Sequence, residues 1–124
     1  MAARSGQQFI DGLRRAPREV WAAGRKIADV TTDPMFARPV RSIAELYDLQ
    51  VSPAHRDAMT QREDGTEYGA SFLIPRVPAD LAKRRLSMKI WAEATFGMVG
   101  RSPDYLNTTL MTWAEGADFF GQRG

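Results

Sequence analysis

The stretch Gly97-Met-Val-Gly-Arg-Ser-Pro-Asp-Tyr105 places an arginine and a tyrosine at the head of a predicted helix. Ser102-Pro103 supplies an N-cap and a proline for the first helical position. Arg101 then immediately precedes the cap and Tyr105 takes the third helical position, so the two face one side of the first turn. Free backbone N–H groups and the positive end of the helix dipole favour an anion at that point. A guanidinium and a phenol converging there are suited to stabilising an oxyanion. Gly97 and Gly100 let backbone and ligand approach closely. The same residues also suit a capped helix with a surface arginine and a packed tyrosine, and spacing alone leaves both readings open.

Other chemistry-bearing residues carry less. His55, the one histidine, sits beside Arg56 and Asp57 in a polar segment and reads as solvated. A self-contained zinc site draws on several His or Cys ligands, so no metal is expected. Asp29 and Asp33 lie close together without neighbours that suggest paired acid–base work. Trp91 and Trp113 recur at helical spacing and read as core side chains rather than a cofactor platform. Gly65, Gly69, Gly97 and Gly100 do not form a G-x-G-x-x-G phosphate loop, and no P-loop is present.

Composition narrows the classes further. The chain has 124 residues, 44% hydrophobic and 26% charged, which is one ordinary domain's worth. It contains no cysteine, which excludes a disulfide scaffold, a thiolate metal site and a cysteine nucleophile. No apolar run approaches the roughly 20 residues that span a bilayer, and the polar start MAARSGQQF is no signal peptide. The expectation is a soluble, cytoplasmic protein without a membrane partner. Lys plus Arg exceed Asp plus Glu by only 17 to 15. The basic clusters Lys83-Arg84-Arg85 and Arg14-Arg15 with Arg18 therefore read as solvated faces, and no nucleic-acid partner is expected.

The positioning elements follow from spacing and punctuation. Phe9, Ile10 and Leu13 give a helix over 8–15 that stops before Ala16-Pro17. Residues 19–30 read as a short hairpin about Gly24-Arg25. Asp33-Pro34 and Arg38-Pro39 punctuate a loop, and Ser42-Ile-Ala-Glu45 reads as the capping box of a helix through Leu49. Residues 51–69 are polar and predict an exposed connection, with 70–74 a short extended stretch ending at Pro75. Val77-Pro78-Ala79-Asp80 opens a helix with Leu81, Met88, Trp91 and Thr95 on one stripe, beside Leu86, Ile90 and Ala94. Lys83, Arg84 and Glu93 are expected on its polar side. A last long helix, striped by Leu106, Leu110, Trp113 and Ala117, runs toward Phe120. There is no internal repeat, and the fold class is mainly α with a small β-hairpin.

Three ordered strings then carry a family resemblance: Asp29-Val-Thr-Thr-Asp-Pro-Met-Phe36, Arg41-Ser-Ile-Ala-Glu-Leu-Tyr-Asp48 and Gly100-Arg-Ser-Pro-Asp-Tyr105. From about Phe9 to Gln122 the chain resembles the N-terminal domain of the 4-hydroxyphenylacetate 3-monooxygenase oxygenase component family. The resemblance implies a two-component enzyme that takes reduced FAD from a separate flavin reductase. With O2 it hydroxylates a phenol, 4-hydroxyphenylacetate or similar, ortho to its hydroxyl. It also implies a fold like the N-terminal helical domain of an acyl-CoA-dehydrogenase-like flavin monooxygenase, and a homo-oligomer of full-length subunits. In the family, the Arg and Tyr matching Arg101 and Tyr105 bind the phenolic oxygen with a His from the following domain. His55 lies too early to be that residue. Residues 1–124 are expected to be this domain, truncated before a β-barrel and a C-terminal helical bundle. The alternative expectation is that the chain as it stands is a catalytically inactive fragment acting at most as an interaction module.

Overall fold

Helix-forming runs separated by two sharp turns build the molecule, here a computed structural model that describes residues 2–98 and 104–122. The chain divides into two units, Ala3–Ser52 and, with the first two residues, Pro53–Gly124.

In the first unit, Ser5 opens helix α1 (Gly6–Arg15). Its hydroxyl accepts the Gln8 N–H at 3.2 Å, and the Gln8 side-chain oxygen accepts the Ser5 N–H at 2.8 Å. This reciprocal pair satisfies two otherwise unpaired donors. The helix ends at Ala16, before Pro17, as the sequence predicts. Strands β1 (Val20–Ala22) and β2 (Arg25–Ile27) pair antiparallel with Val20 opposite Ile27. The turn is Ala23-Gly24, both left-handed at φ 50° and 73°, so the hairpin pivots one residue earlier than Gly24-Arg25.

Helix α2 (Ala37–Val51) begins five residues before Ser42, so the predicted capping box lies inside the helix. Arg38-Pro39, expected in a loop, occupies the first turn. A proline is tolerated there because first-turn N–H groups have no intrahelical acceptor. The Asp33 carbonyl receives the Phe36 and Ala37 N–H groups at 3.0 and 2.8 Å and starts the coil.

α1 and α2 meet where no side chain intervenes. A Cβ built on Gly6 would lie 2.3 Å from the Ala44 carbonyl oxygen, and the Gly6 N–H donates to Asp48 Oδ1 at 2.8 Å. Beside this joint the Arg4 guanidinium lies 4.8 Å from the Tyr47 ring centre and 5.4 Å from that of Phe9. Ile27, Val40 and Ala44 are the buried apolar residues here.

The second unit corrects two expectations. Residues 51–69 are no open connection: they hold the short helix α3 (Arg56–Met59) and the hairpin β3 (Thr60–Glu63) to β4 (Thr66–Gly69). The turn is Asp64-Gly65, at φ 47° and 76°, and β4 also bridges through Tyr68 to Ala2. The stretch 70–74 is not extended; Ala70–Phe72 coils as a 3-10 turn, with Ala70, Ser71 and Leu73 buried.

Helix α4 (Pro78–Ala94) starts as predicted, with Asp80 accepting the Arg76 and Val77 N–H groups at 2.8 and 3.0 Å. Helix α5 (Asp104–Glu115) is followed at Gly116 by the short α6 (Ala117–Gly121), so the last helix is broken rather than continuous. The architecture is mainly α, with two small antiparallel hairpins instead of one.

Helix α4 departs in part from its predicted polarity, although Glu93 is exposed as expected. Arg84, Ser87 and Trp91 are its buried residues, while Leu81 and Met88 are 58% and 46% exposed. On α5, Leu106, Leu110 and Trp113 are exposed, so Trp113 is not a core residue. Trp91 is buried, as predicted.

Candidate functional site

Tyr105 lies in the first turn of α5 with its side chain 62% exposed. It is therefore not a packed tyrosine, one of the two possibilities that spacing leaves open. Gly100, Arg101, Ser102 and Pro103, with which the sequence pairs Tyr105, lie outside the described residues. The Tyr105 carbonyl accepts the Thr109 hydroxyl at 3.0 Å, an ordinary back-bond within the helix.

What positions Tyr105 is the anchored side of the same helix. One residue pair joins α5 to the 3-10 turn: Asn107 Nδ2 donates to Ser71 Oγ at 2.8 Å. The other link is Arg84, buried at 8% exposure. Its Nη1 donates to the Ser71 and Leu73 carbonyls at 2.9 and 2.8 Å, and its Nη2 donates to the Thr108 hydroxyl. Carbonyls in a buried 3-10 turn need donors from elsewhere, and a guanidinium supplies several in one plane. The solvated-face reading of Lys83-Arg84-Arg85 is corrected for its central residue. Three residues after Leu81 and seven before Trp91, Arg84 belongs to the stripe that ends in the buried tryptophan, and that spacing was the signal available in sequence.

A second polar cluster lies between α3 and the β3–β4 hairpin. Arg56 grips Glu67 with two bonds, Nε to Oε1 at 2.8 Å and Nη2 to Oε2 at 2.5 Å. The Thr60 hydroxyl lies 2.8 Å from the same Oε1. The Arg56 guanidinium, then Thr60, hold the Glu67 carboxyl down at about 2. Lys83 Nζ donates to Gln61 Oε1 at 2.9 Å nearby, beside an open cleft of about 530 Å³.

Asp29 and Asp33 take structural roles. Asp33 pairs with Arg25 at 2.8 Å, which together with the Met35 N–H lowers its pKa. Asp29 accepts the Thr31 N–H at 2.7 Å. His55 contributes its carbonyl to the Met59 N–H at 2.9 Å and is half-buried rather than fully solvated. Among the described residues there is no cluster of three or more His, Cys, Asp or Glu that could hold a metal, and no helix long and apolar enough to cross a membrane.

A flavin ring wants a flat, largely apolar slot with a few placed donors. The 530 Å³ cleft is lined by charged and polar side chains alone. A cavity of about 180 Å³ is lined mostly by apolar residues, among them Leu13, Ile27 and Val30, and one of about 200 Å³ by Arg62, Glu63, Tyr68 and Leu73 among others; both are smaller than the roughly 300 Å³ at which ligand pockets begin. None of these three fits such a ring.

Comparison with known proteins places these features. Residues 5–124 match the family model described as 4-hydroxyphenylacetate 3-hydroxylase N terminal. The oxygenase component of 4-hydroxyphenylacetate 3-monooxygenase from Thermus thermophilus is 46% identical over 120 residues, covering 97% of this chain and 25% of the relative. The 4-nitrophenol 2-monooxygenase oxygenase component of a Rhodococcus species is 33% identical over 120 residues, covering 94% and 23%. A crystal structure of a 4-hydroxyphenylacetate 3-monooxygenase oxygenase component complexed with FAD and 4-hydroxyphenylacetate superposes with a TM-score of 0.90 at 46% identity, covering 96% of this chain and 25% of that one. The chain thus spans about a quarter of the length of the relatives it matches. With the Arg41–Asp48 string on α2, the Asp29–Phe36 string in the turns that lead into it, and a matching fold over nearly its whole length, the chain belongs to the 4-hydroxyphenylacetate 3-hydroxylase N-terminal family.

Proposed function

We propose that this chain supplies the phenol-holding part of a reduced-flavin-dependent aromatic monooxygenase that ortho-hydroxylates 4-hydroxyphenylacetate or a similar phenol. The observation that carries the reading is the 0.90 TM-score to an oxygenase component complexed with both FAD and 4-hydroxyphenylacetate. Tyr105, outward-facing at the head of an anchored helix, supports it. In this reading the Tyr105 hydroxyl and the Arg101 guanidinium bind the phenolic oxygen. Their hydrogen bonds favour the phenolate-like form, which raises electron density at the ortho carbon. Reduced FAD from a separate reductase supplies the two electrons, so that one atom of O2 enters the ring and the other leaves as water. In this reading the flavin and the His that completes the phenol site are held by the other three quarters of a full-length relative, of which this chain spans about one. The working enzyme is then a cytoplasmic homo-oligomer of longer subunits.

The outward apolar faces of α4 and α5 favour a companion reading: the 124-residue chain alone is inert, because the surfaces that would cover those faces and hold flavin are elsewhere. The test is a full-length enzyme carrying this chain as its N-terminal quarter, supplied with reductase, FAD, NADH and 4-hydroxyphenylacetate. Arg101→Ala and Tyr105→Phe are each expected to cut catechol formation by about a hundredfold, with reductase turnover unchanged. Full hydroxylation by both variants would refute the assignment. Catechol formation by the isolated chain would refute the companion reading.

A further inference from the structure

We propose that Arg84 is the positioning residue that sets the start of α5 and thereby the place at which Tyr105 is presented; this rests on the phenol-site reading of Tyr105. The Tyr105 ring is exposed and its carbonyl bonds only within its own helix. Its location is therefore inherited from the two residues that follow on the anchored side, Asn107 and Thr108. Both reach the same segment: Asn107 bonds the Ser71 hydroxyl, and Arg84 joins Thr108 to the Ser71 and Leu73 carbonyls.

Three features make Arg84 the controlling member. It is buried, so its bonds are not exchanged for water. It comes from a third element, the 17-residue α4, whose length gives the link a rigid base. Its planar fork also reaches two segments at once, which a lysine ammonium on a single flexible stem does not reproduce. A buried cation is a costly way to fill space, and an apolar side chain would fill it more cheaply. Fixed geometry is what the guanidinium adds. Thr108 lies three residues after Tyr105, one turn along, so a tilt or slip that breaks the Arg84 bond moves the phenol with it.

The first measurement is amide hydrogen exchange on the 124-residue chain. Arg84→Lys and Thr108→Val are each expected to speed exchange across residues 105–110 by about tenfold or more, with α1 unchanged. Thr108→Val removes only the α5 end of the link, so it carries the test if Arg84→Lys fails to fold. Wild-type protection of α5 in Thr108→Val overturns the proposal.

The second measurement separates positioning from general loosening. In the full-length enzyme described above, Arg84→Lys is expected to lower kcat/KM for the phenol about tenfold. It should do so far less in a Tyr105→Phe background, because both changes disable one device. Equal losses in the two backgrounds would mean that Arg84 serves the fold alone and would overturn the proposal. If Tyr105→Phe is itself fully active, the phenol-site reading fails and this role falls with it, whereas α5 anchoring is still decided by exchange.

Discussion

The two units close their joints by opposite means. In Ala3–Ser52 the helices touch backbone to backbone at Gly6, and the surrounding side chains, Arg4 between Phe9 and Tyr47, finish the contact among themselves. In Pro53–Gly124 the joint is a buried cation reading carbonyls beside a small core of Met59, Ala70, Leu73 and Trp91, and many further apolar side chains of α4 and α5 point outward. Of the exposed large apolar side chains among the described residues, three lie in the first unit and twelve in the second. The first unit resembles a finished piece of structure. The second combines a small apolar core with buried polar bonds and leaves much of its hydrophobic surface exposed.

The largest expected effect strikes the first joint. Gly6→Ala drives a methyl group into the Ala44 carbonyl, which backbone cannot evade cheaply, and is expected to cost about 2–3 kcal/mol in urea unfolding. A cost below about 0.5 kcal/mol would show that this joint has slack and would erase the contrast between the units.

A smaller effect belongs to the second unit's polar framework. Glu67→Gln weakens both Arg56 bonds and is expected to cost about 1–2 kcal/mol, reduced because Arg56 is half-exposed. Acid should mimic it. The folded carboxyl titrates near 2 against an ordinary value of 4.5, so its contribution is complete above about pH 4.5 and is lost as pH falls toward 2. Parallel melts of wild type and Glu67→Gln across that window should converge at the acid end. A constant gap would remove the carboxylate from the account.

The smallest effect sharpens the comparison most. Leu110→Gln, on the outward face of α5, is expected to change the stability of the 124-residue chain by less than about 0.5 kcal/mol. A loss of several times that size would mean that the face supports its own unit after all.

Particular residues explain what sequence could and could not reveal. The stops at Pro17 and the start at Pro78 were legible because proline acts locally on backbone geometry. Pro39 misled for the same reason: a proline in a first turn looks like a loop until the preceding carbonyls are seen to start the helix. The Asp64-Gly65 hairpin carried a strong turn signal, but its polar strands have no alternating apolar face to announce them. The candidate site is legible only where a motif marks it. Tyr105 stood in its motif, whereas Arg84 was assigned to solvent because a basic triplet reads as a charged face, and only tertiary structure reveals which of three neighbouring cations turns inward. The exposure of Leu106, Leu110 and Trp113 was illegible because apolar periodicity marks a face to be covered without saying by what.

That uncovered face also governs how the polypeptide fares during synthesis. Chaperones that retain immature chains recognise displayed apolar surface, whatever the secondary structure beneath it. A ribosome that has just released this stretch therefore presents a segment already coiled yet still chemically marked as unfinished. A surface so marked exposes a chain to retention and degradation while it stays uncovered, so exposure of this kind is felt in abundance before it is felt in folding equilibrium.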